Sequence, residues 1–408
     1  MWGARRSRPG ALGCRRKVAV TSALVALGAV LVPVGTPVAQ ASTCLPNLTV
    51  LSQKPSSFLL PGGASVSIWD SGHQSNVLNE VRVAAVTIPR GSLTPAAATA
   101  PTLSVAVTPA AMVAHDPHAV VVINAGHFDP NVSGIPEKSQ IRDGVILKAS
   151  STRSNGIAID AQQRSAHPAF YTLAGKVLSS HATLPVVGVN WQTLGNGITA
   201  YSQVWGSRSH AYGPRTVVVQ GDRVVAIRTG SAGRLRPAAN QWWLTAPSGA
   251  YDTALAGFHL GDQVSVNIAE SAVLQWDGRW PHQVLRDPAA VVGSGGTLVY
   301  QGVNKASCIG RDENLRPRSA IGWLANGDEL VVTVSGRATV DGTRWGGSTV
   351  HQFAEILRAL GARHATALDG GTSTTLLIRR SVGGPLVRLD RPISEYQRPV
   401  VDALVFRG

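Results

Sequence analysis

A long series of short β-branched runs, separated by Gly, Asn and Asp turns over residues 157–300, restricts the fold of this chain more than any other feature. Thr216-Val-Val-Val-Gln-Gly-Asp-Arg-Val-Val-Ala-Ile227 reads as a hairpin about Gly221-Asp222, and Asp262–Ile268 reads as another strand. Upstream, Val81–Ile88 is strand-like and ends at Pro89-Arg-Gly91. Residues 92–111, rich in Ala, Pro and Thr, read as a loop or a short helix beside a strand. His118–Asn124 is an apolar strand that breaks at Asn124-Ala-Gly-His-Phe-Asp-Pro130, so Asn124 belongs at a strand end. Downstream, Ser319–Trp323 and Glu329–Val334 are strands joined by Asn326-Gly-Asp328, and Leu404–Phe406 is a closing strand. Ser348–Leu360 has the clearest helical period. Val350, Phe353, Ala354, Ile356, Leu357 and Leu360 share a face, Ser348 stands where a cap is wanted, and Gly361 stops the helix. The pattern predicts an α+β protein: a single large domain dominated by mixed β-sheet with a few packed helices.

Residues 1–41 read as an export leader. Arg5, Arg6, Arg8, Arg15, Arg16 and Lys17 precede an apolar stretch, Val18–Val34, and Ala39-Gln-Ala41 is a small-x-small cleavage site. A transmembrane helix is disfavoured by Pro33, Gly35 and Pro37 and by the shortness of the run, so no span is expected after cleavage. Arg15-Arg16 loosely resembles a twin-arginine signal, which leaves both export routes open. Removing the leader takes Cys14 and leaves Cys44 and Cys308, which in an exported chain suggest one disulfide or, alternatively, two separate thiols. Residues 42–80 read as a lead-in and 81–408 as the main domain.

The chain holds 37 Lys and Arg against 23 Asp and Glu, a net +14, and stays basic without its leader. An exported basic surface favours anionic partners such as phosphate-bearing glycans or wall polymers. Nucleic acid is not expected, because no basic helix or aromatic–basic interleaving is present. Arg far outnumbers Lys, a usage that suggests a GC-rich bacterial gene; together with the export leader, this gives an expected location outside a bacterial cell envelope. The sequence gives no sign of oligomeric state.

Ala365-Thr-Ala-Leu-Asp-Gly-Gly-Thr-Ser-Thr-Thr-Leu-Leu-Ile378 carries the densest chemistry. An apolar run stops at Asp369-Gly370-Gly371, passes four hydroxyl residues and resumes. One reading is a plain Asp-Gly hairpin turn between buried strands. The other is a carboxylate beside a cradle of glycine N–H groups and hydroxyls able to hold an anion.

Several Gly-punctuated strand ends recur in order: Asn124-Ala-Gly-His-Phe128, Val292-Gly-Ser-Gly-Gly-Thr-Leu-Val299, Pro317-Arg-Ser-Ala-Ile-Gly322, Ser335-Gly-Arg337, Gly346-Gly-Ser-Thr-Val350 with its helix, Leu368-Asp-Gly-Gly-Thr-Ser373 and Arg398-Pro-Val-Val-Asp-Ala-Leu-Val405. This ordered set resembles the phosphodiester glycosidase family, most strongly over 291–408. The family pattern has Asn-Gly-Gly-Phe-Phe at 124–128, an Asn at Ala367 and often an Asp at Ser335. Asn124, Arg318, Asp369, Gly370, Gly371 and Ser373 match it. The resemblance implies a hydrolase that cleaves a glycosyl phosphodiester, with no cofactor.

Such a substrate needs its phosphate held and its anomeric carbon stabilised as the C1–O bond breaks. Arg318 suits the phosphate, since a guanidinium pairs with two phosphate oxygens at once. Gly370, Gly371, Ser373 and Thr374 offer donors to substrate oxygens. Asp369 is the leading carboxylate, as base for water or as stabiliser of developing positive charge. Asn124 is placed to hold a sugar hydroxyl or Asp369 itself. No second carboxylate stands out among Asp129, Asp143, Glu270 and Glu355. His127-x-Asp129 is a weak metal pattern, and no metal is assigned. Two rival readings follow: a non-catalytic phosphoglycan-binding protein, motivated by Ala367 and Ser335, and a metal-dependent phosphodiesterase cutting at phosphorus.

Overall fold

A computed structural model of the chain describes residues 48–70, 81–129, 135–162, 164–191, 195–206, 213–230, 236–275, 284–307, 314–336, 346–390 and 397–408. The leader, Cys44, Cys308 and Arg337 lie outside the described residues, so the disulfide reading does too. Among the described residues, no helix is long and apolar enough to cross a membrane.

Strands dominate, in sheets of eight, twelve, five and two strands. Among the described residues the pairings are antiparallel except one, Thr183–Val189 against Ile198–Tyr201, so there "mixed" describes the sheets only at that point. Helices are few, and the α+β expectation narrows to a β-rich fold. The segment read as a lead-in joins the body: Ser56–Leu59 pairs with Ser65–Asp70, which pairs with Arg82–Ile88 at one side of the eight-stranded sheet. Residues 92–111 hold a strand, Thr94–Thr99, and a single helical turn, Pro109–Met112.

The eight-stranded sheet continues from Arg82–Ile88 through Glu329–Ser335, Arg318–Trp323, His364–Ala367 and Thr297–Tyr300 to Val303–Asn304. Its strands read as unbroken apolar runs because both faces are buried. On one face Ala84, Val86, Ile88, Ile321 and Val331 meet Ile123, Leu376, Ile378, Leu404 and Phe406 of the five-stranded sheet. On the other, Val83, Ala85, Val332 and Val334 meet Phe353, Ile356 and Leu357 of the helix Val350–Ala359. Alternation of side chains along a strand sends successive residues to the two layers.

That helix is two residues shorter at its start than the periodicity predicts. Ser348 is held in an isolated bridge with Arg316, its N–H on the Arg316 carbonyl at 3.0 Å and its carbonyl taking the Arg316 N–H at 3.1 Å. Thr349 caps instead. Its Oγ1 accepts the Gln352 N–H, while the Gln352 side chain accepts the Thr349 N–H, both at 3.1 Å.

The five-stranded sheet runs Leu386–Arg388, Leu376–Arg379, Ala119–Asn124, Asp402–Arg407, Thr94–Thr99. Its centre is therefore an early strand held between two late ones. The twelve-stranded sheet takes most of residues 140–293, including the hairpin Arg215–Gln220 with Arg223–Thr229. It surrounds a second core built on Tyr171, Val217, Leu244 and Phe258.

Candidate functional site

Asp369 does not sit in a hairpin. The strand before it, His364–Ala367, belongs to the eight-stranded sheet, and the strand after it, Leu376–Arg379, belongs to the five-stranded one. The Asp-Gly-Gly link crosses between sheets. Gly371 takes φ +62°, a left-handed backbone that starts a 3-10 turn over Gly371–Ser373. A second crossing lies alongside: Ala290–Gly293 ends in the twelve-stranded sheet, and Thr297–Tyr300 begins in the eight-stranded one.

Three distant segments converge here. Asn124 ends its strand fully buried, and its Nδ2 donates to the main-chain oxygen of Asp369 at 2.6 Å. Its Oδ1 accepts the Ser319 hydroxyl at 2.9 Å and the Thr375 N–H at 3.0 Å. Asn124 therefore holds Asp369 in place through the backbone, and its buried amide does not face a sugar. The Asp369 N–H donates to the Ala125 carbonyl at 2.8 Å. Gly370 fits against Pro317 and Arg318, since a Cβ there would lie 2.9 Å from the Pro317 oxygen.

The Asp369 carboxylate is partly buried, with its Oδ1 3.7 Å from His127 Nε2. Burial pushes its pKa up from the ordinary range. The His127 imidazole, the Ser373 hydroxyl, the Arg398 guanidinium and the Gly370 N–H oppose that rise. Arg398 donates to Thr372 Oγ1 at 2.8 Å and Ser373 Oγ at 3.2 Å, and its guanidinium lies 4.9 Å from the Phe128 ring centre. The donors expected to meet substrate are largely engaged elsewhere. The Gly370 N–H serves Asp369, and the Gly371 N–H donates to the Pro317 carbonyl at 2.8 Å. Ser373 is fully buried between Asp369 and Arg398, and Thr374 is buried as well.

Beside Asp369 opens a cleft of about 350 Å³. His127, Lys305 and Arg318 line it together with Ala367, Leu368 and Gly370. No carboxylate is among its described lining residues, so its wall favours anions. Arg318 is oriented by main-chain carbonyls, donating through Nε to Ser348 at 3.2 Å and through Nη2 to Asn314 at 2.9 Å. Ser335 is buried at the end of its strand opposite Arg82 and does not line the cleft.

None of the four candidate second carboxylates lines the cleft. Asp143 lies beside Arg142, Glu355 is tied to Arg358 and Asn304, and Glu270 stands near Tyr171. The carboxylate near Asp369 is Asp402, fully buried at the head of the last strand. It accepts the Gly126 N–H at 2.6 Å, the Gln140 amide at 2.9 Å and the Gly293 N–H. Burial pushes it up to about 6 against those donors, and the negative charge of Asp369 adds to the rise. Gly126 packs tightly here: a Cβ would lie 3.0 Å from Asp402 Oδ2, so a larger residue would push that carboxylate aside. The sequence carried one signal for this residue: an acid set in the otherwise apolar run Val400–Phe406. His127, read as half of a metal pattern with Asp129, partners Asp369 instead.

A partly buried acid at the rim of a cation-lined cleft, mounted on links between sheets, is an arrangement suited to an anionic substrate. The phosphodiester glycosidase family model matches residues 213–407, and this segment of the chain belongs to that family. The match includes Arg318, Asp369, Arg398 and Asp402, while Asn124 and His127 lie outside it. A hypothetical protein from Synechocystis has a similar structure, with TM-score 0.62 and 21% identity over 85% of this chain and 62% of that one. A putative exported protein from Burkholderia pseudomallei K96243 superposes with TM-score 0.60 and 19% identity over 81% of this chain and 74% of that one. These two likenesses establish the fold. The pro-peptide-inhibited catalytic domain of zebrafish N-acetylglucosamine-1-phosphodiester alpha-N-acetylglucosaminidase gives a weak likeness, TM-score 0.40 at 11% identity. No curated protein matches the chain.

Proposed function

We propose that this protein is an exported hydrolase that cleaves a glycosyl phosphodiester in a phosphoglycan or wall polymer. The observation that carries this reading is Asp369, a partly buried acid between His127 and Arg398 whose neighbour Gly370 adjoins Arg318 in the cation-lined cleft. The substrate phosphate lies against Arg318 and Lys305, which places the anomeric carbon toward Asp369. The C1–O bond breaks with its electron pair leaving on the phosphate, a good leaving group that needs little protonation. Water then adds to C1, and ionised Asp369 takes its proton, giving free sugar and a phosphomonoester. The His127 and Arg398 charges favour the ionised acid that this step requires.

One observation favours the rival reading of a binding protein. Ala367 presents a methyl group to the cleft where the family pattern has an amide. Purified protein incubated with sugar-1-phosphodiesters of both anomers separates the readings. Free sugar that appears with wild type and falls about 10²–10⁴-fold in Asp369→Ala, the loss typical of a general base, supports hydrolysis at C1. Release of intact sugar phosphate instead moves the cut to phosphorus. Saturable, salt-sensitive binding without product leaves a lectin-like protein.

A further inference from the structure

A second cluster of chemically capable side chains lies apart from the cleft and shares no residue with it. His181 stands in the turn between the strands Ser165–Ser179 and Thr183–Val189, and His259 and Asp262 stand just before the strand Val264–Leu274. The pairing of Ser179 with Val264 brings the two turns together. One donor atom from each of the three side chains falls within 4.8 Å of the other two. His181 Nε2 is 3.5 Å from Asp262 Oδ2, and His259 Nδ1 is 3.9 Å from the same oxygen. Both separations are too long for good hydrogen bonds. They are close to the ~3.3 Å that separates two ligands of a tetrahedral zinc ion with bonds near 2.0–2.1 Å.

The backbone fixes the ligand-bearing turns. Asp262 Oδ2 accepts the His259 N–H at 2.8 Å, and the Asp262 carbonyl accepts the Val224 N–H at 2.9 Å. Ser179 Oγ accepts the N–H groups of His181 and Ala182 at 3.2 and 3.0 Å. The imidazoles are exposed enough for an ion to enter, at 49% and 76%, while the carboxylate is mostly covered at 18%.

We propose that His181, His259 and Asp262 bind one divalent transition-metal ion of the zinc class. Two imidazoles and a carboxylate are borderline donors that suit such ions over calcium or magnesium, which prefer all-oxygen sites. Three protein ligands leave a further position to water. The ion adds a side-chain clip between the hairpin turn at His181 and the loop at 259–262, beside the strand pairing that already brings them together.

Titration of the full chain with zinc chloride in a calorimeter, in a non-chelating buffer, tests the site. One equivalent is expected, and cobalt(II) in its place is expected to give the visible absorption of a low-coordinate site. His181→Ala and His259→Ala should each weaken uptake by more than the roughly 10–100-fold typical of lost outer-sphere partners. Asp369→Ala should bind zinc as wild type does, which separates this site from the cleft. No uptake by wild type, or equal uptake by the double histidine variant, overturns the proposal.

Discussion

Asn124 is the residue whose loss the structure prices most clearly. Its amide closes three hydrogen bonds at 2.6, 2.9 and 3.0 Å in a place with no solvent access, and the three partners come from residues 319, 369 and 375. Asn124→Ala leaves the Asp369 carbonyl, the Thr375 N–H and the Ser319 hydroxyl without that partner. Each buried polar group so stranded costs ~1–3 kcal/mol, and the hydroxyl can turn to recover part of its share. A total of about 3–5 kcal/mol follows, a large fraction of the ~5–15 kcal/mol that holds a domain folded. Asn124→Asp keeps the shape but sets a carboxylate oxygen against the Asp369 carbonyl, so it should be no better tolerated. Urea unfolding followed by tryptophan fluorescence reads the loss as a lower midpoint. Because the amide reaches Asp369 only through the backbone, turnover at a temperature where the variant stays folded should fall with little change in KM. An alanine variant within ~1 kcal/mol of wild type and equally active would refute the view that this side chain positions the acid.

Two further outcomes follow from the charges. Arg398→Met removes a cation that holds the Asp369 carboxyl down, so the acidic limb of the kcat/KM profile should move to higher pH; an unmoved limb would detach Arg398 from the reaction. Glu329 is pushed by burial from 4.5 to about 7, with the Ala166 N–H at 2.8 Å countering only part of the rise. A raised carboxyl gives stability that is full below its unfolded value and lost as pH climbs through the folded one. Wild type should therefore lose about 3 kcal/mol from this group between pH ~4.5 and ~7, and Glu329→Gln should lack that component; denaturation midpoints with the same pH slope in both proteins would contradict it.

Much of the strand content was legible in the sequence, because β-branched runs and turn residues mark strands directly. The hairpin at Gly221-Asp222 and the closing strand appear where the pattern puts them. Which sheet a strand joins was not legible. Residues 364–367 and 376–379 look like two arms of one hairpin, yet they pair with partners some 40 and 250 residues away, Arg318–Trp323 and Ala119–Asn124. The ordered motifs brought Asn124, Arg318 and Asp369 to attention, and the structure sets them around one junction. Their individual tasks were hidden, since an amide that seems poised for a ligand in sequence turns out to be spent on the backbone. His127 and Asp402 escaped notice as partners of Asp369 for the same reason: contacts across long separations leave no local period.

The early strand at the centre of the five-stranded sheet bears on how the protein is made. Ala119–Asn124 stays without either neighbour until Leu376–Arg379 and Asp402–Arg407 exist. Thr94–Thr99 waits on the final strand too. During synthesis, then, the strand that carries Asn124 remains an open template until residues 376–379 and 402–407 have emerged. Removal of residues 402–407 should leave Ala119–Asn124 and Thr94–Thr99 without the strand that joins them, and expression of residues 213–407 alone should yield a chain whose strand Asp402–Arg407 has neither of its partners.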